Sequence, residues 1–267
     1  LSACHSWPHD PAVQPAKAIA PTPRDGTRPA WVLALGMGSA RLIELTADLP
    51  PQEVAVPDMP SDAAASLGRR SHLAKRGDMR GGESGSENAL LSRYARDVDQ
   101  ALRPPLAGDD RPLILAAAEP MASIFRHVCS HPGLATEVIG GSADDATPAA
   151  LAGPAQAVLD GLNAAELERL RDLYATRFNQ GRATTDLAQA ARAAAFGAID
   201  TLLVDMDAAV AGTVDEEDGR LTPGEGDGSV TDEITRHALR GGARVVAVRR
   251  GDMPGGQEVA AILRYAM

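Results

Sequence analysis

The run Gly68 to Arg80 (GRRSHLAKRGDMR) holds five basic residues, Arg69, Arg70, Lys75, Arg76 and Arg80, against one acidic residue. Gly81-Gly82-Glu83-Ser84 follows it directly. Adjacent glycines let the main chain adopt angles that side chains forbid and approach a ligand closely. Guanidinium and ammonium groups neutralise phosphates. Together these residue types would bring a stretch of backbone against a polyanion such as RNA. The plain alternative is a surface loop kept soluble by its arginines.

Other constellations are weaker. Gly36-Met37-Gly38-Ser39-Ala40 follows a strand and suggests a dinucleotide site, but that fingerprint needs a third glycine and a helix on the pyrophosphate. A hairpin turn is the expectation there. His127 and His131 flank Cys129, but His131 precedes Pro132 and no further donor is near in sequence, so no metal site is expected. Asp215-Glu216-Glu217-Asp218-Gly219 lacks the alternating donors of a calcium loop and reads as an exposed acidic turn. No nucleophile elbow, phosphate-binding loop or cofactor motif occurs. Gly255-Gly256-Gln257 lies between two strands with no basic loop around it and reads as a turn.

With 267 residues, the chain is one large domain or two small ones. Its 44% hydrophobic and 23% charged residues exclude wholesale disorder. No apolar run approaches the roughly 20 residues of a membrane helix. Aromatics are 3% against 50 alanines, so small aliphatic side chains must build the core. The 24 arginines against 2 lysines, with the alanine excess, suggest a GC-rich bacterial genome. The net charge of −10 excludes a general nucleic-acid coat, but not one basic loop placed against RNA. The negative charge is concentrated in 205–233, with ten acidic residues and one basic. Two cysteines, Cys4 and Cys129, make no disulfide framework, so a reducing, cytoplasmic setting is expected. Leu1-Ser2-Ala3-Cys4 fits the short pattern of lipoprotein cleavage sites, but four residues alone do not carry that reading.

The elements that must position the basic loop read as follows. Residues 1–30, with six prolines, form an extended arm. Trp31–Leu35 and Arg41–Leu45 are strands, and 46–83 is a long irregular stretch. Ser84 and Glu87 begin a helix that ends before Pro104-Pro105. Pro112–Ala118 is a buried strand, a short helix opens at Glu119-Pro120, and Val138-Ile139 closes the first unit. A helix starts at Pro148 and is weak at Gly153-Pro154. Asn163 and Glu166 suggest the cap of a second helix, whose face carries Leu167, Leu170, Leu173, Tyr174 and Phe178. Helix 185–196, strand Ile199–Val204 and a partner strand Ala208–Val214 come next, followed by the acidic loop. Helix 231–240 and strands Ala243–Val248 and Val259–Tyr265 complete the chain. Alternating helices and strands favour a sheet covered by helices.

Several stretches together resemble a known family. A basic loop, Gly-Gly and then an Arg-bearing helix over Leu90–Leu102 resemble the middle domain of archaeo-eukaryotic class-1 release factors. The second half resembles their third domain, as in the release-factor and pelota families. It does so through Gly181-Arg182-Ala183-Thr184-Thr185-Asp186, the Ala-rich helix and Gly197-Ala198-Ile199-Asp200-Thr201-Leu202-Leu203-Val204. Gly241-Gly242 and Met253-Pro254-Gly255-Gly256, each before a strand, complete that likeness. With Pro112-Leu113-Ile114-Leu115-Ala116, the chain is most similar to the bacterial archaeo-eukaryotic release-factor-like branch, over about 31–267.

The resemblance implies an α/β fold of two domains. Residues 31–142 would be an RNase H-like middle domain carrying the long loop 46–83. Residues 143–267 would be an α-β-α sandwich similar to kink-turn-binding ribosomal proteins. In release factors a Gly-Gly-Gln loop helps water attack the peptidyl-tRNA ester. Gly81 and Gly82 fall at that place, and Glu83 stands for the glutamine. An ionised carboxylate cannot donate a hydrogen bond and is repelled by rRNA phosphates, which counts against hydrolysis. The stop-codon-reading domain has no counterpart in 1–30, so a codon-independent role in ribosome rescue or hibernation is expected. Its RNA contacts would be Arg69, Arg70, Lys75, Arg76 and Arg80, with no cofactor and no membrane. The alternative is a protein-binding scaffold that uses the acidic loop 205–233. A small-molecule enzyme using the crevice at the strand ends ranks last, because no catalytic set is recognisable.

Overall fold

The computed structural model describes residues 18–19, 28–68, 83–205, 207–224 and 229–266, with side chains except at 18–19, 67–68 and 83–87. In chain order the elements are β1 (Ala18–Ile19), β2 (Ala30–Leu35), β3 (Ala40–Leu45), β4 (Gln52–Val54), α1 (Ala63–Gly68) and α2 (Glu83–Leu102). Next come β5 (Leu113–Ala116), α3 (Met121–Val128), β6 (Leu134–Ile139), α4 (Pro148–Asn179), β7 (Ala183–Thr184) and α5 (Leu187–Ala195). The last are β8 (Ile199–Asp205), β9 (Gly212–Val214), β10 (Leu221–Pro223), α6 (Val230–Arg240), β11 (Arg244–Val248) and β12 (Val259–Leu263). Two compact α/β units result among the described residues, one within 28–164 and one within 165–266, the latter together with 18–19.

In the first unit the strand order is β4-β3-β2-β5-β6. β2 pairs antiparallel with β3 and parallel with β5. All six residues of β2 are buried, because successive side chains point to opposite faces and both faces are covered. Trp31, Leu33 and Leu35 pack with Leu91, Tyr94 and Val98 of α2 and Phe125 of α3. Ala30, Val32 and Ala34 pack with Leu151, Ala155, Val158 and Leu159 of α4.

In the second unit the order is β1-β11-β8-β12-β7, with β8 parallel to β11 and antiparallel to β12. One face carries the alanines of α5 (Ala190, Ala191, Ala193, Ala194) and Ile234 and Ala238 of α6. The other carries Leu167, Leu170 and Tyr174 of α4. Small side chains thus let helices close over the sheet in a chain poor in aromatics.

Four expectations change. The stretch 46–83 is not wholly irregular, since it contains β4 and α1, both too short to leave a periodic signal. Asn163 does not cap a second helix, because α4 runs unbroken from Pro148 to Asn179 with Pro154 inside it. Each half of α4 covers an apolar sheet, and that packing outweighs the local stop signals. The boundary between the two compact units lies at 164/165, inside α4. Ala208–Val214 does not join the main sheet; β9 pairs with β10 in a separate two-stranded ribbon. The segment 205–233 is therefore not one acidic loop but a hairpin flanked by the end of β8 and the start of α6.

Candidate functional site

Arg69, Arg70, Lys75, Arg76, Arg80, Gly81 and Gly82 lie outside the described residues. Glu83 is placed by its main chain, at the first position of α2. The described residues place the elements on either side of that stretch. The Ala63 N–H at the start of α1 bonds the Met37 carbonyl at 3.0 Å, so α1 starts at the β2–β3 turn, beyond the carboxyl end of β2. Near the other end of α2, the buried Asp99 carboxylate accepts the Ser130 N–H at 2.7 Å. Ser130 leads into the amino end of β6. A helix of 20 residues spans about 30 Å, so Glu83 stands towards the carboxyl ends of the parallel strands. That is the edge where open α/β sheets bind ligands.

The β2–β3 turn at that edge is closed from within. Asp144 Oδ1 accepts the Gly38 N–H at 3.0 Å and the Ser39 hydroxyl at 3.2 Å. A Cβ on Gly36 would fall 2.0 Å from the same oxygen. The Arg41 guanidinium bonds the carbonyls of Ala143 and Ala146 at 2.7 and 2.8 Å and so holds the Asp144 segment in place. An anionic side chain already occupies the turn amide, which agrees with the hairpin reading and leaves no phosphate cradle.

Elsewhere in the first unit, Asp99, Arg103, Cys129, Ser130 and His131 line a cavity of about 320 Å³ near the amino ends of β5 and β6. Both Asp99 oxygens are engaged, one by Arg103 at 2.8 Å and the other by the Ser130 N–H and hydroxyl. Burial pushes the Cys129 thiol up, which disfavours the thiolate. α3 ends at Val128, so His127 and His131 do not share a helix face. Among the described residues no three His, Cys, Asp or Glu group as metal ligands would. No helix among them is long and apolar enough to cross a membrane.

The acidic residues of the second unit are largely structural. Asp215 Oδ1 accepts the N–H groups of Glu217 and Asp218 at 2.9 and 3.1 Å, shaping the expected exposed turn. Those hydrogen bonds hold its carboxyl below the usual range. Asp205 is buried and paired with Arg250 at 3.1 Å. Glu233 accepts the Val214 N–H. Sequence reading missed Asp99 and Asp144, whose contacts with Ser130 and Gly38 reach 31 and 106 residues along the chain.

The solved structures match the fold across both units. Dom34 of S. cerevisiae, a translation termination-like factor, aligns with a TM-score of 0.51 at 11% identity, over 89% of this chain and 63% of that one. Archaeal Pelota, from a model of ribosome-bound Pelota and ABCE1, aligns with a TM-score of 0.54 at 17% identity, over 89% and 62%. The chain thus spans somewhat under two thirds of the length of these proteins. Among curated proteins nothing matches. The family model described as bacterial archaeo-eukaryotic release factor family 11 matches residues 27–165, just over half of the chain and all of the first sheet. The chain therefore belongs to bacterial archaeo-eukaryotic release factor family 11.

Proposed function

We propose that the protein associates with the ribosome in a translation-related role, and that it acts in rescue or hibernation. The observation that carries this reading is the family match, joined to a fold shared with an archaeal Pelota described as ribosome-bound. The basic residues Arg69, Arg70, Lys75, Arg76 and Arg80 contact RNA phosphates. Gly81 and Gly82 allow close approach of the main chain, from an anchorage at the carboxyl edge of the first sheet. Glu83 keeps ester hydrolysis low. Such a role places the protein in the cytoplasm.

Co-sedimentation with bacterial ribosomes at low and high salt tests the reading. Neutralising several phosphates makes binding fall steeply with salt, by about 10³-fold or more between 50 and 200 mM for six contacts. Replacing the five basic residues by alanine is expected to remove the bound fraction. Equal sedimentation of that variant and the unaltered chain would overturn the assignment of the loop. No binding at any salt would overturn ribosome association itself.

A further inference from the structure

Aromatic residues number only eight in this chain: two Trp, three Tyr and three Phe. Burial would claim each of them in so lean a core. Yet Phe178, Phe196 and Tyr265 are 56%, 59% and 52% exposed. All three belong to the second unit, and hydrogen bonds bring their backbones to one end of its sheet. Phe178 lies at the end of α4, where its carbonyl accepts the Gly181 N–H at 3.0 Å. The next residue, Arg182, accepts the Leu263 N–H at 2.9 Å and sends its guanidinium to the Arg264 carbonyl, beside Tyr265. The Arg264 guanidinium in turn bonds the Gly197 carbonyl at 2.9 Å, directly after Phe196. It also bonds the Gly241 and Gly242 carbonyls, each at 3.1 Å.

This arrangement changes what solvent meets. Helix carboxyl ends ordinarily present unpaired carbonyls and the negative end of the helix dipole. Here main-chain N–H groups take up the last carbonyls of α5 and α6, and Arg264 ties together the carbonyls of Gly197, Gly241 and Gly242 just beyond them. Around them Phe178, Phe196 and Tyr265 stay more than half exposed, Phe178 stacking on Tyr174 with ring centroids 5.9 Å apart, beside open main chain. Gly181 and Gly197 sit at φ +66° and +62°, with nothing within 4 Å of where a Cβ would stand. In the segments 177–182, 196–200 and 263–266, Arg177, Arg182 and Arg264 stand against one carboxylate, Asp200. The local charge is opposite to the chain's average of −10.

Rings for stacking, cationic guanidiniums and approachable backbone are the set that recognises unpaired bases on a phosphate chain. We infer that the Phe178, Phe196 and Tyr265 end of the second unit binds single-stranded RNA. Bases stack on the rings, and the net positive charge of Arg177, Arg182 and Arg264 at this end favours the phosphate chain. Charge complementarity selects RNA over an apolar partner. The inference does not depend on the basic loop of the first unit.

The test is fluorescence anisotropy of the full chain with a labelled single-stranded RNA of about 12 nucleotides, within the span of one stacking platform. The same sequence as a blunt duplex serves as comparison. Phe196→Ala with Tyr265→Ala removes two exposed rings and is expected to leave the thermal unfolding profile unchanged. Single-strand affinity should fall about tenfold or more, given typical losses per stacked base, while duplex affinity changes little. A chain that does not bind the single strand, or a ring variant that binds it equally well, overturns the inference. The five-residue basic-loop variant is titrated alongside. Loss there with none in the ring variant also overturns it and leaves the ribosome reading standing. A ring variant that keeps RNA affinity but loses a protein contact shows a protein-docking surface instead.

Discussion

The α-carbon of Gly36 faces the Asp144 carboxylate so closely that a Cβ there would fall 2.0 Å from Oδ1. The same oxygen holds the Gly38 N–H at 3.0 Å, so the turn and the segment from Ala143 onward are set against each other. Gly36→Ala must push the carboxylate away and break that bond, at a cost of about 1–2 kcal/mol. Asp144→Ala removes the acceptor from a partly exposed site, at about 1 kcal/mol. In the double variant the clash is gone, so its cost should fall short of the sum by about 1 kcal/mol. Urea unfolding followed by the fluorescence of Trp31, buried in the same unit, measures this. Strict additivity would show that the two residues do not share the space.

Much of the fold was legible because its elements carry strong local signals. β2, β5 and β8 are short apolar runs bounded by turns, and α5 begins at Asp186, whose side chain accepts the Gln189 N–H at 2.8 Å. What escaped the sequence was decided by partners far along the chain. Phe178 continues the apolar face of α4 and stacks on Tyr174, yet it is 56% exposed and lies outside the buried cluster of Leu167, Leu170 and Tyr174. Asn163 has the chemistry of a cap but sits inside a helix held by packing at both halves. The candidate loop was legible in type, through five basic residues and two glycines, whereas the bond from Ala63 to Met37 that places the start of α1 is a tertiary fact.

Arg264 ties together the chain just beyond α5 and α6, through the carbonyls of Gly197 at 2.9 Å and of Gly241 and Gly242 at 3.1 Å. Arg264→Ala leaves these groups to water at an exposed site, so the loss should be about 1–2 kcal/mol rather than the full cost of buried orphans. Amide hydrogen exchange should show faster exchange in the last turns of α5 and α6 and in the neighbouring residue Ala198, with the first unit unchanged. Uniform acceleration across both units would contradict this local role.

If Gly81-Gly82-Glu83 stands where release factors carry their Gly-Gly-Gln loop, Glu83 takes the place of its glutamine. Glu83→Gln trades an ionised acceptor for a group that donates as well as accepts. If the loop enters a site where a peptidyl-tRNA ester is held, that exchange should raise ribosome-dependent hydrolysis about tenfold or more, the scale of one well-placed polar group. The assay is release of labelled peptide from ribosomes loaded with peptidyl-tRNA, beside a Gly82→Ala control. Equal, background-level release by the unaltered chain and the Gln variant would remove hydrolysis from the role and leave binding alone.

Two carboxylates make the protein sensitive to acid. Asp109 is held down to about 2, first by the Arg111 guanidinium, which it meets at 2.7 Å, with Trp31 also donating to it. Glu166 is likewise held at about 2, first by Arg169 and then by Arg244, at 2.8 and 2.7 Å. A depressed folded-state value means that the unfolded chain binds protons first as pH falls. These pairs therefore stabilise the fold fully above about pH 5, and their contribution fades between roughly pH 4 and pH 2, once the unfolded carboxyls titrate near 4. The one pair sits in the first unit and the other in the second, so both transitions should move. Thermal unfolding midpoints should be flat from pH 7 to 5 and fall steadily below 4. In Asp109→Asn with Glu166→Gln, the fall below pH 4 should be shallower, from a lower plateau at neutral pH. An identical acid profile in that variant would show that other carboxylates set the acid limit.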